Sequence, residues 1–406
     1  MQSLSIQQVS DRAGVDQEYI EHLIELGALH RGQNGYEERD VHLVALLHRW
    51  EQAGLPATMI LTAIENRVLT LDFLETPAWT LPEPLPLTYR DFAEENEIPL
   101  DLLRAVHEAM GFAPPEPDDR ARPDDVVVTE MVRTILGVGA SEDMVRRLFR
   151  LYAENLRRLA NAEAELYVAQ VQNRWINAGV DESELMALGS EVGRRMNPLV
   201  EAILFAIYDR HRQHIWTENS IERTEALLEE AGLFQRPLRV PAVCVVDLTG
   251  YTRLTEELGD EVAAQLASNL AALVDAISRR HEGRPMRWLG DGGIFYFREP
   301  SAAIVAALEM ADGARAAGLP PTHIGIHAGP VIFQDGDVYG RTVNVAARIA
   351  SRAEAGEVLA SEETVEQADR SGGQFKRVGP ARLKGVSQPV ILYRVERRND
   401  APDSNN

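Results

Sequence analysis

Two aspartates in the C-terminal part of the chain sit where a carboxylate is exposed yet rigidly held. Asp247 closes the apolar run Val243-Cys244-Val245-Val246 and is followed by Leu248, Thr249, Gly250, Tyr251 and Thr252. Asp291 lies in Leu-Gly-Asp-Gly-Gly, between the strand-like Arg287-Trp288-Leu289 and Ile294-Phe295-Tyr296-Phe297. Hard oxygen donors at two such points suit Mg²⁺ or Mn²⁺ together with a phosphate. Each aspartate alone has a simpler role, since Asp-Gly-Gly makes a hairpin turn and an aspartate after a strand caps a helix. Further along, Asn344 and Arg348 stand four residues apart in GDVYGRTVNVAARIASRA, a turn that becomes a helix. That spacing puts an amide and a guanidinium on one helix face, where together they can grip an anion, although an Arg on a helix face is by itself usually just solvated. Lys384, in ARLKGVSQPV, is a lone cation in a Gly-containing loop and by itself reads as a surface charge.

These side chains need elements to hold them. From about residue 238, strand-like runs alternate with helical ones: VPAVCVVD, a helix to about Arg280, RWLG, GIFYF, a helix through AAIVAALEMADGARAAG, then THIGIHAG. This alternation over about 160 residues is one domain's worth. Trp288 reads as core packing.

The joint order of VVDLTGYT, GDGGIFYF, GDVYGRTVNVAARI and LKG within one domain resembles the catalytic domain of class III adenylyl and guanylyl cyclases. The resemblance covers residues 238–397, and the short link between GIHAGPV and GDVYG looks like the bacterial subtype with a short dimerisation arm. It implies an α+β fold with a ferredoxin-like βαββαβ core behind an all-α regulatory region. Asp247 and Asp291 match the family's metal aspartates, which hold two Mg²⁺ or Mn²⁺. Asn344 matches the ribose-orienting residue, and Arg348 the one that neutralises the transition-state phosphate. Lys384 matches the contact to the terminal phosphates, and Asp337 the residue that reads adenine. Backbone N–H groups of Leu248, Thr249, Gly250, Tyr251 and Thr252 would cradle phosphate at a helix start. Arg287 stands where adenylyl cyclases carry a base-reading Lys. Its larger fork still donates, which leaves the choice between ATP and GTP open. The family's sites lie between two subunits, with the metal aspartates from one and Asn344 and Arg348 from the other. A homodimer that turns ATP into 3′,5′-cyclic AMP and pyrophosphate is therefore implied. The alternatives are a guanylate cyclase and a weak or inactive nucleotide-binding regulator.

The front half is helical. SIQQVSDRAG, DQEYIEHLIELGAL, the turn Gln33-Asn34-Gly35-Tyr36 and the helix ERDVHLVALLHRWEQAG resemble the winged helix-turn-helix of MerR-type regulators over residues 1–75. Asp16, Glu18, Glu21 and Glu25 in the recognition segment oppose DNA contact. Residues 76–233 resemble the helical regulatory domain ahead of some cyclases. DDVVVTEMVRTILGVGASEDMV also lines up with RDVHLVALLHRWEQAGLPATMI at an offset of 85, which suggests an internal repeat. His211 and His214 make a proton one conceivable input beside a lipid or a protein. Residues 398–406 read as a disordered tail.

Composition bounds all of this. The chain has 406 residues, 41 basic and 63 acidic, for a net charge of −22. Such a balance opposes polyanionic partners such as nucleic acid or an anionic membrane. One Cys excludes a disulfide framework. No run of about 18 apolar residues spans a membrane, and the N-terminal pattern is not that of a signal peptide, so a cytoplasmic setting is expected.

Overall fold

The computed structural model describes residues 4–30, 32, 35–66, 68–69, 71, 84–235, 239–369 and 372–398. The chain divides into two compact units, Met1–Ile221 and Glu222–Asn406. The segments expected as separate front-half domains, 1–75 and 76–233, thus share most of their length within one unit. Asn34 at the wing turn, residues 72–83 of the Pro-rich stretch and the tail from 399 lie outside the described residues.

In the first unit, α1 (Ile6–Ala13), α2 (Gln17–Glu25), α3 (Glu38–Gln52) and α4 (Ala57–Glu65) are followed by α5 (Tyr89–Glu95), α6 (Leu100–Ala109), α7 (Pro123–Gly137) and α8 (Glu142–Tyr167). The second four repeat the first four, as the sequence offset suggests. The N-cap hydroxyls of Ser5 and Thr88 accept from Gln8 N and Asp91 N, satisfying helix-end donors. Asp40 and Asp125 each reach back to the N-cap N–H of their own helix, at Glu37 (2.7 Å) and Arg122 (2.8 Å). Gly54 and Gly139 follow α3 and α7 with φ of 88° and 84°, a left-handed turn that favours glycine. Ile20 and Leu23 of α2 are buried, as are Leu103 and Val106 of α6.

The copies part company at one buried polar cluster. Where the first has Ile6 and Ile24, the second has Tyr89 and His107. Tyr89 Oη donates to Asp125 Oδ2 at 2.6 Å, and His107 Nε2 donates to Asp125 Oδ1 at 2.9 Å. Asp125 is only 2% exposed. Burial by itself would raise its carboxyl. The hydrogen bonds from His107, Tyr89 and the Arg122 N–H outweigh that and hold it below its ordinary value of 3.8. A carboxyl lowered in the folded state stabilises the fold above its unfolded pKa, and that contribution is lost as pH falls through the folded pKa. Asp125→Asn should therefore destabilise the protein by about 2 kcal/mol at neutral pH. In urea melts the gap from the parent should shrink as the pH drops below about 4. A gap that stays constant down to pH 3 would show that the Asp125 charge is not what stabilises.

Past Tyr167 a π-helical turn, Val168–Gln172, leads into α9 (Asn173–Asn177). The last helix of the region is α10 (Glu182–Glu230). Met196, Leu199, Ile203 and Ile207 on α10 are all exposed, and their spacing of three and four residues makes one apolar stripe.

The second unit runs β1 (Ala242–Leu248), α11 (Tyr251–Leu258), α12 (Asp260–Arg280), β2 (Arg284–Leu289), β3 (Gly292–Phe297), α13 (Pro300–Ala316) and β4 (Thr322–Ala328). It continues with β5 (Ile332–Gln334), β6 (Asp337–Tyr339), α14 (Arg341–Ala350), β7 (Val358–Ser361), α15 (Glu362–Gln367), β8 (Gln374–Ala381) and β9 (Val390–Glu396). The main sheet has the order β2-β3-β1-β4-β7-β9-β8. Its first four strands are mutually antiparallel neighbours. With α12 and α13 as crossovers, this is the expected βαββαβ core.

Alternation along β1 decides what each sheet face does. Ala242, Cys244, Val246 and Leu248 form the main core with Leu270, Val274 and Ile277 of α12 and the apolar side of α13. Val243 and Val245 turn the other way, into a cluster with Ile294, Val338 and Ala346. Asp247 shares that second face by alternation. The helix covering it, α14, lies against the backbone of β4, because a Cβ at Gly325 would meet Ala350 N at 2.1 Å and Ala346 O at 2.5 Å.

Candidate active site

Antiparallel pairing carries the two aspartates to one end of the sheet. Asp247 pairs with Gly292 of β3 and, on its other side, with His323 of β4. Asp291 sits in the β2–β3 hairpin after Gly290, whose φ is 59°. Leu248 N donates to Asp291 O at 3.2 Å and ties that hairpin to the end of β1. The partner position must be glycine, since a Cβ at residue 292 would lie 2.6 Å from Asp247 Oδ1. Burial, followed by the charge of Asp247, raises the Asp291 carboxyl above the ordinary carboxylate range. A carboxylate whose charge is disfavoured by burial and by a neighbouring aspartate is stabilised by a divalent cation, so the pair fits the expected metals. Among the described residues no cluster of three or more His, Cys, Asp or Glu groups offers a metal site. Further ligands would have to be phosphate oxygens and water, as is usual for Mg²⁺.

The phosphate cradle expected at 248–252 needs correcting. Leu248 N is taken by Asp291 O, and Thr249 N donates to Pro321 O at 2.8 Å. Neither N–H is available to a ligand, because Leu248 still lies within β1 and Thr249 is tied to the residue just before β4. Gly250, with φ of 73°, caps α11, which starts at Tyr251. The N–H groups of Gly250, Tyr251 and Thr252 remain as the donors at that helix start.

The base-reading pair expected from the sequence is brought together. Arg287 donates through Nε to Asp337 Oδ2 at 2.6 Å and through Nη2 to the same oxygen. Asp337 Oδ1 accepts from Val338 N at 2.7 Å. The Arg287 guanidinium also lies over the Tyr339 ring, 5.5 Å from its centroid, a cation–π contact. Trp288 packs beside the main core and donates to Gly290 O at 2.8 Å, in keeping with a structural role.

On α14, Asn344 and Arg348 are both exposed while Val345, Ala346, Ile349 and Ala350 are buried. The helix is anchored by its apolar face and presents the amide and guanidinium outward. Lys384 is exposed in the loop between β8 and β9, next to buried Leu383. Sequence reasoning missed Gly292, Tyr339 and His323. The last could have been noticed as a polar residue entering the strand THIGIHAG, but its pairing with Asp247 joins segments 76 positions apart and leaves no local signal.

The fold is thus a helical N-terminal region followed by a mixed α/β domain. Residues 239–397 match the family described as the adenylate and guanylate cyclase catalytic domain, and residues 41–214 match the adenylate cyclase regulatory domain. Among curated relatives, a pH-sensitive adenylate cyclase of Mycobacterium tuberculosis is 27% identical over 324 residues, covering 76% of this chain and 77% of its own. An adenylate cyclase of Glutamicibacter nicotianae is 28% identical, covering 66% and 68%. The solved adenylyl cyclase CyaB of P. aeruginosa aligns at 27% identity and a TM-score of 0.36, over 40% of this chain and 96% of its own.

Proposed function

We propose that this protein is a homodimeric adenylate cyclase whose helical region gates catalysis. The observation that carries the proposal is the convergence of Asp247 and Asp291 at one sheet end, together with the exposed Asn344 and Arg348 on α14. When bound at the two aspartates, divalent ions supply acidification of the 3′-hydroxyl and neutralisation of the leaving pyrophosphate. The chain's own groups do the rest. Asp337 accepts from the adenine amino group and Arg287 donates to the ring. Asn344 holds the ribose so that its 3′-oxygen faces the α-phosphorus. Arg348 neutralises the charge that grows on that phosphate as the cyclic ester closes. Lys384 and the N–H groups at the start of α11 hold the terminal phosphates. Purified protein with ATP and Mn²⁺ should yield cyclic AMP, and the absence of product would favour a nucleotide-binding regulator without turnover.

Base choice follows from the Arg287–Asp337 pair. The guanidinium already uses Asp337 Oδ2, so an adenine amino group must share that carboxylate with it. A hydrogen bond to a charged group contributes about 1.5–3 kcal/mol. Asp337→Ala should therefore lower kcat/KM for ATP relative to GTP by about tenfold or more, measured with both nucleotides side by side. An unaltered ratio would remove Asp337 from base reading.

For the gate, the relevant contacts lie where α10 ends. Within the second unit, Glu222 pairs with Arg298 at the exit of β3, and Arg239 pairs with Glu225 at 3.3 Å. Strand β3 begins at Gly292, beside the aspartates. A shift passed along it by about 1 Å would cost on the order of a hundredfold in rate. Deleting residues 1–235 should change specific activity between about ten- and a hundredfold. Equal activity per dimer would refute gating. The apolar stripe on α10 supports dimer contact there, and the input could be a proton, a lipid or a protein. The acidic α2, with Glu18, Glu21 and Glu25, argues for the helix-turn-helix segment as a packing module rather than a DNA reader.

A further inference from the structure

We infer that His323 is a positioning residue for the Asp247 carboxylate, and that it sets how well the site holds a divalent cation. The inference rests on the reading of Asp247 as a metal ligand. His323 enters β4 directly opposite Asp247. Its Nε2 lies 3.3 Å from Asp247 Oδ2. Its other ring nitrogen, Nδ1, lies 3.2 Å from Thr249 Oγ1. The imidazole therefore bridges two residues of the same segment, one on each side of Leu248. The backbone of Thr249 is fixed nearby, because its N–H is bonded to Pro321 O, two residues ahead of His323. With the Thr249 hydroxyl donating to Nδ1, the ring proton sits on Nε2, the nitrogen nearer Asp247 and in close polar contact with its carboxylate. The second carboxylate oxygen, Oδ1, lies over Gly292, where any side chain would collide with it.

The carboxylate thus has a different neighbour at each oxygen. His323 contacts one, and Gly292 leaves room for the other. A carboxylate left to rotate would lose part of the alignment that a cation requires, and partners that orient metal ligands typically affect affinity by about 10–100-fold.

Full-length protein, with a non-cyclisable ATP analogue present, should be titrated with Mn²⁺ and the free ion read by electron paramagnetic resonance. His323→Ala should weaken Mn²⁺ binding by about tenfold or more while the thermal midpoint stays near that of the parent. His323→Gln, whose Nε2–H can reach the same oxygen, should recover most of the loss. Thr249→Val, which frees the ring but leaves it in place, should fall between the two. Asp291→Ala serves as the reference for loss of a ligand. If His323→Ala binds Mn²⁺ like the parent while Asp291→Ala does not, the positioning role is wrong and the metal reading stands. If the parent and Asp291→Ala titrate alike, the metal reading fails and this inference falls with it. If His323→Gln is as weak as His323→Ala, donation to Asp247 is not what the histidine provides.

Discussion

Asp291→Ala should lower cyclic AMP formation by at least about a thousandfold while leaving the protein folded and dimeric. The rate effect follows from the role proposed for the carboxylate. Charge stabilisation by a bound divalent ion amounts to several kcal/mol in a transition state, and each 1.36 kcal/mol is a factor of ten. The structural tolerance follows from the environment. Burial and the charge of Asp247 both disfavour the Asp291 carboxylate, so its removal relieves the fold of a cost. The contact that ties the hairpin to β1 uses the backbone carbonyl of Asp291, not its side chain. The measurement is cyclic AMP production from ATP and Mn²⁺ beside thermal unfolding and sedimentation of the same preparation. Retained activity, or a collapse of the fold, would each contradict a carboxylate whose purpose is to hold a cation.

Arg348→Ala is the second large effect. Loss of one preorganised group aimed at developing charge typically costs 10²–10³ in kcat, so a drop of roughly that size is expected with little change in KM. Arg348 is exposed on a helix whose opposite face is buried, and truncating it should not disturb packing. The same variant tests the shared site. If the aspartates of one subunit act with Arg348 of the other, each defective homodimer is inactive at both sites. A mixed dimer of Asp291→Ala and Arg348→Ala then has one site with both defects and one intact site. With free exchange at equal amounts, half of all dimers are mixed, and each has half its sites intact. Mixing should therefore restore about a quarter of parental activity. No recovery after verified exchange would place the aspartates and Arg348 in one site of a single subunit.

Much of the second unit is legible in its local residue pattern. Helix α14 shows why: its four-residue spacing was enough to put Asn344 and Arg348 on one face, and the buried Val345 and Ile349 explain that orientation. The hairpin at Asp291 and the strand carrying Asp247 are likewise written in local pattern. In the front half, the offset of 85 anticipated a repeat that reappears in matched caps and in the shared Asp40 and Asp125 contacts. The backbone cradle does not form at Leu248 and Thr249, because their N–H groups are taken by Asp291 and Pro321, partners that lie far away in sequence.

Local residue order, then, settles helix faces, strand alternation, caps and turns, because these depend on spacings of two to four positions. It also settles which chemical groups are on hand. Which groups meet is a matter of topology. The order β2-β3-β1-β4 places Gly292 on one side of Asp247 and His323 on the other. Arg287 reaches Asp337 across 50 positions. These encounters arise when the sheet closes, and the collisions that Gly292 and Gly325 avoid exist only once the strands and α14 are packed.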